Sequence, residues 1–163
     1  MSDQCLNFYP NVLDSKNLSA AIKFYKSKNL KIVFTNGCFD LLHIGHVRYL
    51  SEASSHGQIL IVGINTDSSV QRLKGPTRPI QNENDRSEIL ASLKSVSHTI
   101  LFNEETPLDL IQNIKPDVLV KGGDWKISEI VGSDFVLKNG GKVLTLQFVT
   151  GKSTTKIIEK SKT

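Results

Sequence analysis

A chain of 163 residues, 39% hydrophobic and 22% charged, has the size and composition of one globular domain with its own core, which argues against disorder. Its net charge of +4 sits at the ends: residues 1–31 carry five Lys against two Asp, residues 152–163 four Lys against one Glu, and the middle is slightly acidic, so the domain offers no clustered basic footprint for nucleic acid. No apolar run approaches the ~18 residues of a membrane span, the N-terminus has no signal-like apolar stretch, and Cys5 and Cys38, the two cysteines, make no disulfide framework; a cytoplasmic protein with neither membrane nor nucleic-acid partner is expected.

In chain order, Leu18 to Lys28 reads as a helix with Leu18, Ile22 and Tyr25 on one face. Lys31 to Thr35 is a short β-branched run and a buried strand. Gly45 to Ser54 is a helix candidate, and Gln58 to Asn65 the strongest strand pattern. A charged loop follows, then an amphipathic helix over Asn82 to Leu93 with Ile89, Leu90 and Leu93 inward. Ser97 to Phe102 is a strand, Pro107 opens a helix to Ile114, and Val118 to Lys121 is a strand. Asn139-Gly-Gly141 breaks the chain before a strand over Lys142 to Phe148, and Ser153 to Lys160 closes as a helix. This alternation predicts an α/β fold: a Rossmann-like parallel sheet with helices on both faces, in one domain over 1–163 whose first 27 residues form a helical extension. Such sheets bind ligands at the carboxyl ends of their strands.

Four segments lie just after predicted strands. In Phe34 to His46, FTNGCFDLLHIGH, a strand runs into a glycine-containing turn and then His43-Ile44-Gly45-His46 at a helix start. A helix N-terminus offers free N–H groups and partial positive charge to a phosphate. Two imidazoles there can stabilise oxygens gaining charge, and Gly45 lets backbone approach closely. A capping or core role is the plain alternative for either histidine. Arg72, Lys74 and Arg78, spaced by Gly75 and Pro76, suit a mobile loop that clamps polyphosphate, or else a solvated surface. Lys121-Gly122-Gly123-Asp124-Trp125 puts close ligand approach, an acceptor and a stacking face together, though a glycine turn beside a core Trp would read the same way. Ser153, Thr154 and Thr155 open the last helix and can donate hydroxyls to phosphate. Gly151-Lys-Ser-Thr is no P-loop, because Leu146 stands where the first glycine belongs. His56 and His98 have no partners in sequence and read as structural or surface groups. Together the four segments indicate a nucleotide-phosphate site.

At these residues the chain resembles the HxGH nucleotidyltransferase superfamily, which includes cytidylyltransferases and class I aminoacyl-tRNA synthetases. Length and the lack of a KMSKS segment speak against a synthetase. FTNGCFDLLHIGHVRYL, RLKGPTRPI, LVKGGDW, the NGG segment and STTKII are similar to the adenylyltransferase family that makes ADP-heptose from D-glycero-β-D-manno-heptose 1-phosphate. The likeness covers about residues 28–160, with no sugar-kinase half, and so implies a stand-alone form. It implies that His43 and His46 contact the triphosphate as catalytic groups, with Thr35, Asn36, Gly37 and Phe39 turning around the phosphates. Lys74 and Arg78 would hold the β- and γ-phosphates or the sugar phosphate. Asp124 and Trp125, with Lys121 beside them, would line the nucleoside, and Ser153, Thr154 and Thr155 would occupy the second signature. That signature departs from the family pattern, since Val149-Thr150 replaces its upstream arginine. The implied reaction is in-line attack of the sugar phosphate on the α-phosphorus of ATP, with Mg²⁺ as cofactor, no dedicated protein metal site, no covalent intermediate and a homodimeric enzyme. A cytidylyltransferase acting on glycerol 3-phosphate or an amino-alcohol phosphate is the near alternative, and a non-catalytic nucleotide sensor a more distant one.

Overall fold

A computed structural model describes residues 11–147 and 153–161. The elements are β1 (Val12–Leu13), α1 (Ser15–Ser27), β2 (Ile32–Gly37), α2 (Ile44–Ser54), β3 (Ile59–Asn65), α3 (Asp67–Lys74), α4 (Glu83–Ala91), β4 (His98–Phe102), α5 (Leu108–Ile114), β5 (Val118–Gly122), a 3₁₀ turn (Ile127–Glu129), α6 (Ser133–Lys138), β6 (Lys142–Leu146) and α7 (Thr154–Ser161). All pairings are parallel, in the order β1-β4-β3-β2-β5-β6. The chain winds from β2 through β3 to β4 on one side, then returns to place β5 and β6 on the other. The reversal lies between β2 and β5, and at such a point the loops diverge and leave a crevice.

The strand pleat splits the core between two faces. Ile32 and Phe34 of β2 pack with Leu18 and Ile22 of α1, Ile111 and Ile114 of α5 and Val136 of α6. Val33 points the other way, with Leu60, Val62 and Ile64 of β3, against Tyr49, Leu50 and Ala53 of α2 and Leu90 of α4. Gly63 sits opposite Asn36 in the ladder; a Cβ there would come within 2.9 Å of the Phe34 ring, so this close strand contact requires glycine.

The parallel α/β sheet with helices on both faces is as expected, with three local differences. The segment before α1 contributes β1, which pairs with β4 and caps the sheet edge. Arg72 and Lys74 lie on a helix, α3, rather than in a mobile loop: Thr66 caps its start by accepting from the Ser69 N–H at 3.3 Å, and Gly75 at φ 93° ends it. In α4 the inward face carries Arg86, Ser87 and Leu90, and Ile89 is 37% exposed. Hydrogen bonding sets that register, because the Ser87 and Thr99 hydroxyls pair at 2.9 Å in the core. His98 is half-buried and pairs with the Tyr25 hydroxyl, far from the strands' carboxyl ends.

Candidate active site

β2 continues through Asn36 and Gly37 before the chain turns. Phe39 takes a left-handed φ of 46° in that turn, which costs strain for a side chain with a Cβ. Burial and an edge-on contact with the His46 ring, centroids 5.1 Å apart, hold it there. The turn leads into α2, whose N-cap is His43: its Nδ1 accepts from the Gly45 N–H at 3.1 Å. The His43 and His46 rings stack at 3.8 Å, 18° from parallel. The capping and phosphate roles of His43 are therefore compatible, since the cap fixes which ring edge faces out.

A cavity of about 1180 Å³ opens at the carboxyl ends of β2 and β5. Asn36, Gly37, Phe39, His43, Gly45, His46, Lys74, Lys121, Asp124, Trp125, Ser153, Thr154 and Thr155 all line it. The start of α7 is aimed at it, with the Thr154 hydroxyl donating to the Leu41 carbonyl at 3.2 Å. Lys121 reaches Asn36 Oδ1 at 3.4 Å, and burial draws its ammonium below the usual lysine range, a nearby Cys38 opposing. Trp125 donates its indole N–H to the Gly122 carbonyl at 3.1 Å and stays half exposed, so the ring is fixed edge-on with a face free to stack. Asp124 accepts from the Gln147 amide at 2.7 Å. The Val149-Thr150 departure and Lys152 fall outside the described residues.

Two expected contacts are absent from the cavity wall. Thr35 is fully buried, its hydroxyl paired with the Tyr49 phenol at 2.6 Å, so it braces β2 against α2. Arg78 is ion-paired with Asp40, which is 1% exposed. Arg72 donates to the carbonyl and side-chain oxygens of Asn103. Of the three clustered cations only Lys74 faces the cavity, because the other two meet acceptors from distant segments.

Sequence reasoning missed three groups. Asp40, inside the phosphate turn, accepts from Arg78 and from the Ile80 and Gln81 N–H groups at 2.7 and 3.1 Å. Burial raises its pKa, but these donors outweigh it and the net shift is downward. Arg86, 1% exposed, donates to the carbonyls of Gln81 (3.0 Å), Cys38 (2.6 Å) and Asn65 (2.8 Å) and to Asp67 Oδ1 (2.8 Å). It ties the ends of β2 and β3 to the segment before α4. Tyr49 also lines the cavity, and burial pushes its phenol up to about 12 despite the bond from Thr35. Asp40 lies within the HxGH segment, and Arg86 lies four residues before Leu90 on the predicted inward face of its helix, where an apolar face interrupted by a cation was the available signal.

Burial lowers the His46 pKa from 6.5 to about 4, helped by His43 and Lys74 and opposed by the Leu41 carbonyl. Neutral His46 therefore donates one hydrogen bond without a full charge, and Lys74 supplies charge. The unfolded chain binds a proton at His46 near pH 6.5 while the folded one waits until about 4. The stability this residue contributes is complete above pH 6.5 and is lost as pH falls toward 4. Melting curves of the wild type and His46→Gln across that range should show a Tm difference that changes with pH, the wild type losing more on acidification; parallel curves would contradict the burial argument.

Lys74 is exposed at the last turn of α3. Lys74→Ala should raise KM for the nucleotide on the order of tenfold to a hundredfold, as loss of a charged hydrogen bond does. Tm should barely move, since exposed lysines carry little folding energy. Unchanged steady-state kinetics would return Lys74 to the solvated surface.

A switch-point cavity walled by a glycine turn, two helix starts and stacked histidines fits a nucleotidyltransferase, the class that comparison with known proteins shows. The cytidylyltransferase-like family model matches residues 34–160, and the chain belongs to that family. It is 53% identical over 143 residues to the bifunctional protein HldE of Citrifermentans bemidjiense, covering 88% of this chain and 29% of that one. It is 50% identical to HldE of Aliarcobacter butzleri, covering 93% and 33%. The chain thus spans about a third of the length of these relatives. A lipopolysaccharide core biosynthesis protein from Thermoplasma volcanium superposes with a TM-score of 0.61 at 30% identity, covering 76% of this chain and 99% of that one. A pantoate-beta-alanine ligase from Francisella tularensis shares the fold alone, with a TM-score of 0.54 at 17% identity.

Proposed function

We propose that this domain transfers AMP from ATP to D-glycero-β-D-manno-heptose 1-phosphate, giving ADP-heptose and pyrophosphate, in the cytoplasm. The observation that carries the transfer is the convergence of the stacked His43–His46 pair, Lys74 and the hydroxyls opening α7 on one cavity. The heptose acceptor rests on the RLKGPTRPI, LVKGGDW and NGG segments and on 53% identity to a protein named HldE. No described helix is long and apolar enough to cross a membrane.

In this reading a phosphate oxygen of the sugar attacks the α-phosphorus in line. The new P–O bond forms as the α–β bridging bond breaks, and the electron pair leaves on pyrophosphate. The attacking phosphate is already an anion, so no base is needed. His46 donates to an oxygen gaining charge, Lys74 and the starts of α2 and α7 offset negative charge, and Trp125 stacks on the base. Magnesium enters as the Mg²⁺–ATP complex. The described residues hold no group of three or more His, Cys, Asp or Glu able to bind a metal; an ion carried by phosphates needs only one or two carboxylates, and Asp124 and Glu129, both exposed on the cavity wall, are the candidates. The ion would neutralise phosphate charge.

Pyrophosphate release is to be measured for ATP and CTP, each with the heptose 1-phosphate and with glycerol 3-phosphate. ATP with the heptose should lead in kcat/KM by up to ~10⁴-fold, because unpaired site donors penalise a substrate lacking hydroxyls. If CTP with glycerol 3-phosphate leads, the heptose assignment fails. Binding without pyrophosphate release would mark a sensor.

A further inference from the structure

A second cavity, of about 340 Å³, adjoins the first on the β3–β4 side. Asn36, Gly37, Cys38, Lys121, Trp125 and Glu129 line both, so the phosphate turn and Lys121 form a shared wall. Beyond that wall the second cavity is mostly apolar, with Phe102, Leu119 and Ile130, and adds Glu105, while Glu129 stands on the wall itself. Its volume is near the low end of the roughly 300–1,000 Å³ usual for small-molecule sites, enough for a monosaccharide and too small for a nucleotide. Both side chains are solvent-exposed, and among the described residues neither carboxylate is in a hydrogen bond or ion pair. Two carboxylates repel a triphosphate, which leaves the polyphosphate to the His43, His46 and Lys74 side. The same carboxylates accept only, and hydroxyls are the neutral donors they suit.

We propose that this smaller cavity is the acceptor's polyol subsite, where Glu105 and Glu129 accept hydrogen bonds from sugar hydroxyls while the sugar's phosphate lies at Lys121 and Asn36 on the shared wall. The inference rests on the transfer reading above and adds to it where the acceptor sits and which residues select it. Apolar walls pack against the C–H faces of the sugar, the carboxylates read its hydroxyls, and the shared wall puts its phosphate beside the α-phosphorus.

Trp125 is the only tryptophan in the chain, so intrinsic fluorescence reports occupancy of either cavity without turnover. Wild type, Glu105→Gln and Glu129→Gln are to be titrated with ATP alone and with heptose 1-phosphate alone, then assayed for pyrophosphate release. Each variant should weaken heptose 1-phosphate binding and raise its KM on the order of tenfold or more. The ATP constants of Glu105→Gln should stay within about twofold, since Glu105 lines only the second cavity. Glycerol 3-phosphate, with two hydroxyls, should lose less than the heptose. Unchanged acceptor binding in both variants overturns the proposal, as does a loss for ATP equal to that for the sugar in Glu105→Gln. If the wild type binds the sugar phosphate, and the variants weaken it, but no pyrophosphate appears, the transfer reading fails and the subsite stands.

Discussion

His46→Ala should lower kcat by ~10²–10³, the usual cost of removing one preorganised donor to developing charge. The ring sits between Phe39 and His43, at 5.1 and 3.8 Å, and is held neutral by burial. Its buried Nδ1 has no well-aligned hydrogen bond, only the Leu41 carbonyl nearby, so truncation should leave the far-UV spectrum unchanged. KM for ATP should rise much less than kcat falls, because an interaction made mainly in the transition state registers in kcat. His46→Gln keeps a donor and should recover part of the loss. Near-normal kcat in the alanine variant would remove His46 from the chemistry.

Arg86→Ala should be the most damaging single change to stability, by about 3 kcal/mol or more, since each buried carbonyl left without its donor costs ~1–3 kcal/mol. Three carbonyls and the Asp67 carboxylate lose their donor, and the Asn65 carbonyl stays buried. Because the Cys38 carbonyl belongs to the phosphate turn, any folded fraction should also bind ATP poorly. Arg86→Lys keeps the charge but not the fork, so it cannot reach four acceptors on three segments; it should be intermediate in Tm, and urea unfolding of the two variants checks the ranking. An alanine variant as stable as the wild type would show that water replaces the guanidinium.

The features legible in the sequence are local ones. Alternating strand and helix periods, glycine at turns and Ser/Thr at the start of α7 each act within a few residues, so the parallel sheet and the strand-end position of the site could be read directly. The HxGH helix start was legible for the same reason: His43 caps Gly45 two residues away. What the sequence left open was which side chains face the cavity. Arg72, Lys74 and Arg78 look alike in sequence, yet Asn103 and Asp40 take the outer two, across separations that periodicity does not register. Thr35 reads as the end of a buried strand, and the resemblance assigns it to the phosphates; it ends in the core, because Tyr49 folds back to meet it. Arg86 falls on the predicted inward face of its helix, four residues before Leu90, and only the packed sheet brings the Cys38 and Asn65 carbonyls to it. The second cavity is likewise a tertiary product: its walls come from β2, β3, β4, β5 and the loops after them, and no short segment contains it. Local hydrogen bonding and side-chain period determined the elements; long-range satisfaction of buried donors and acceptors decided which residues the site could use.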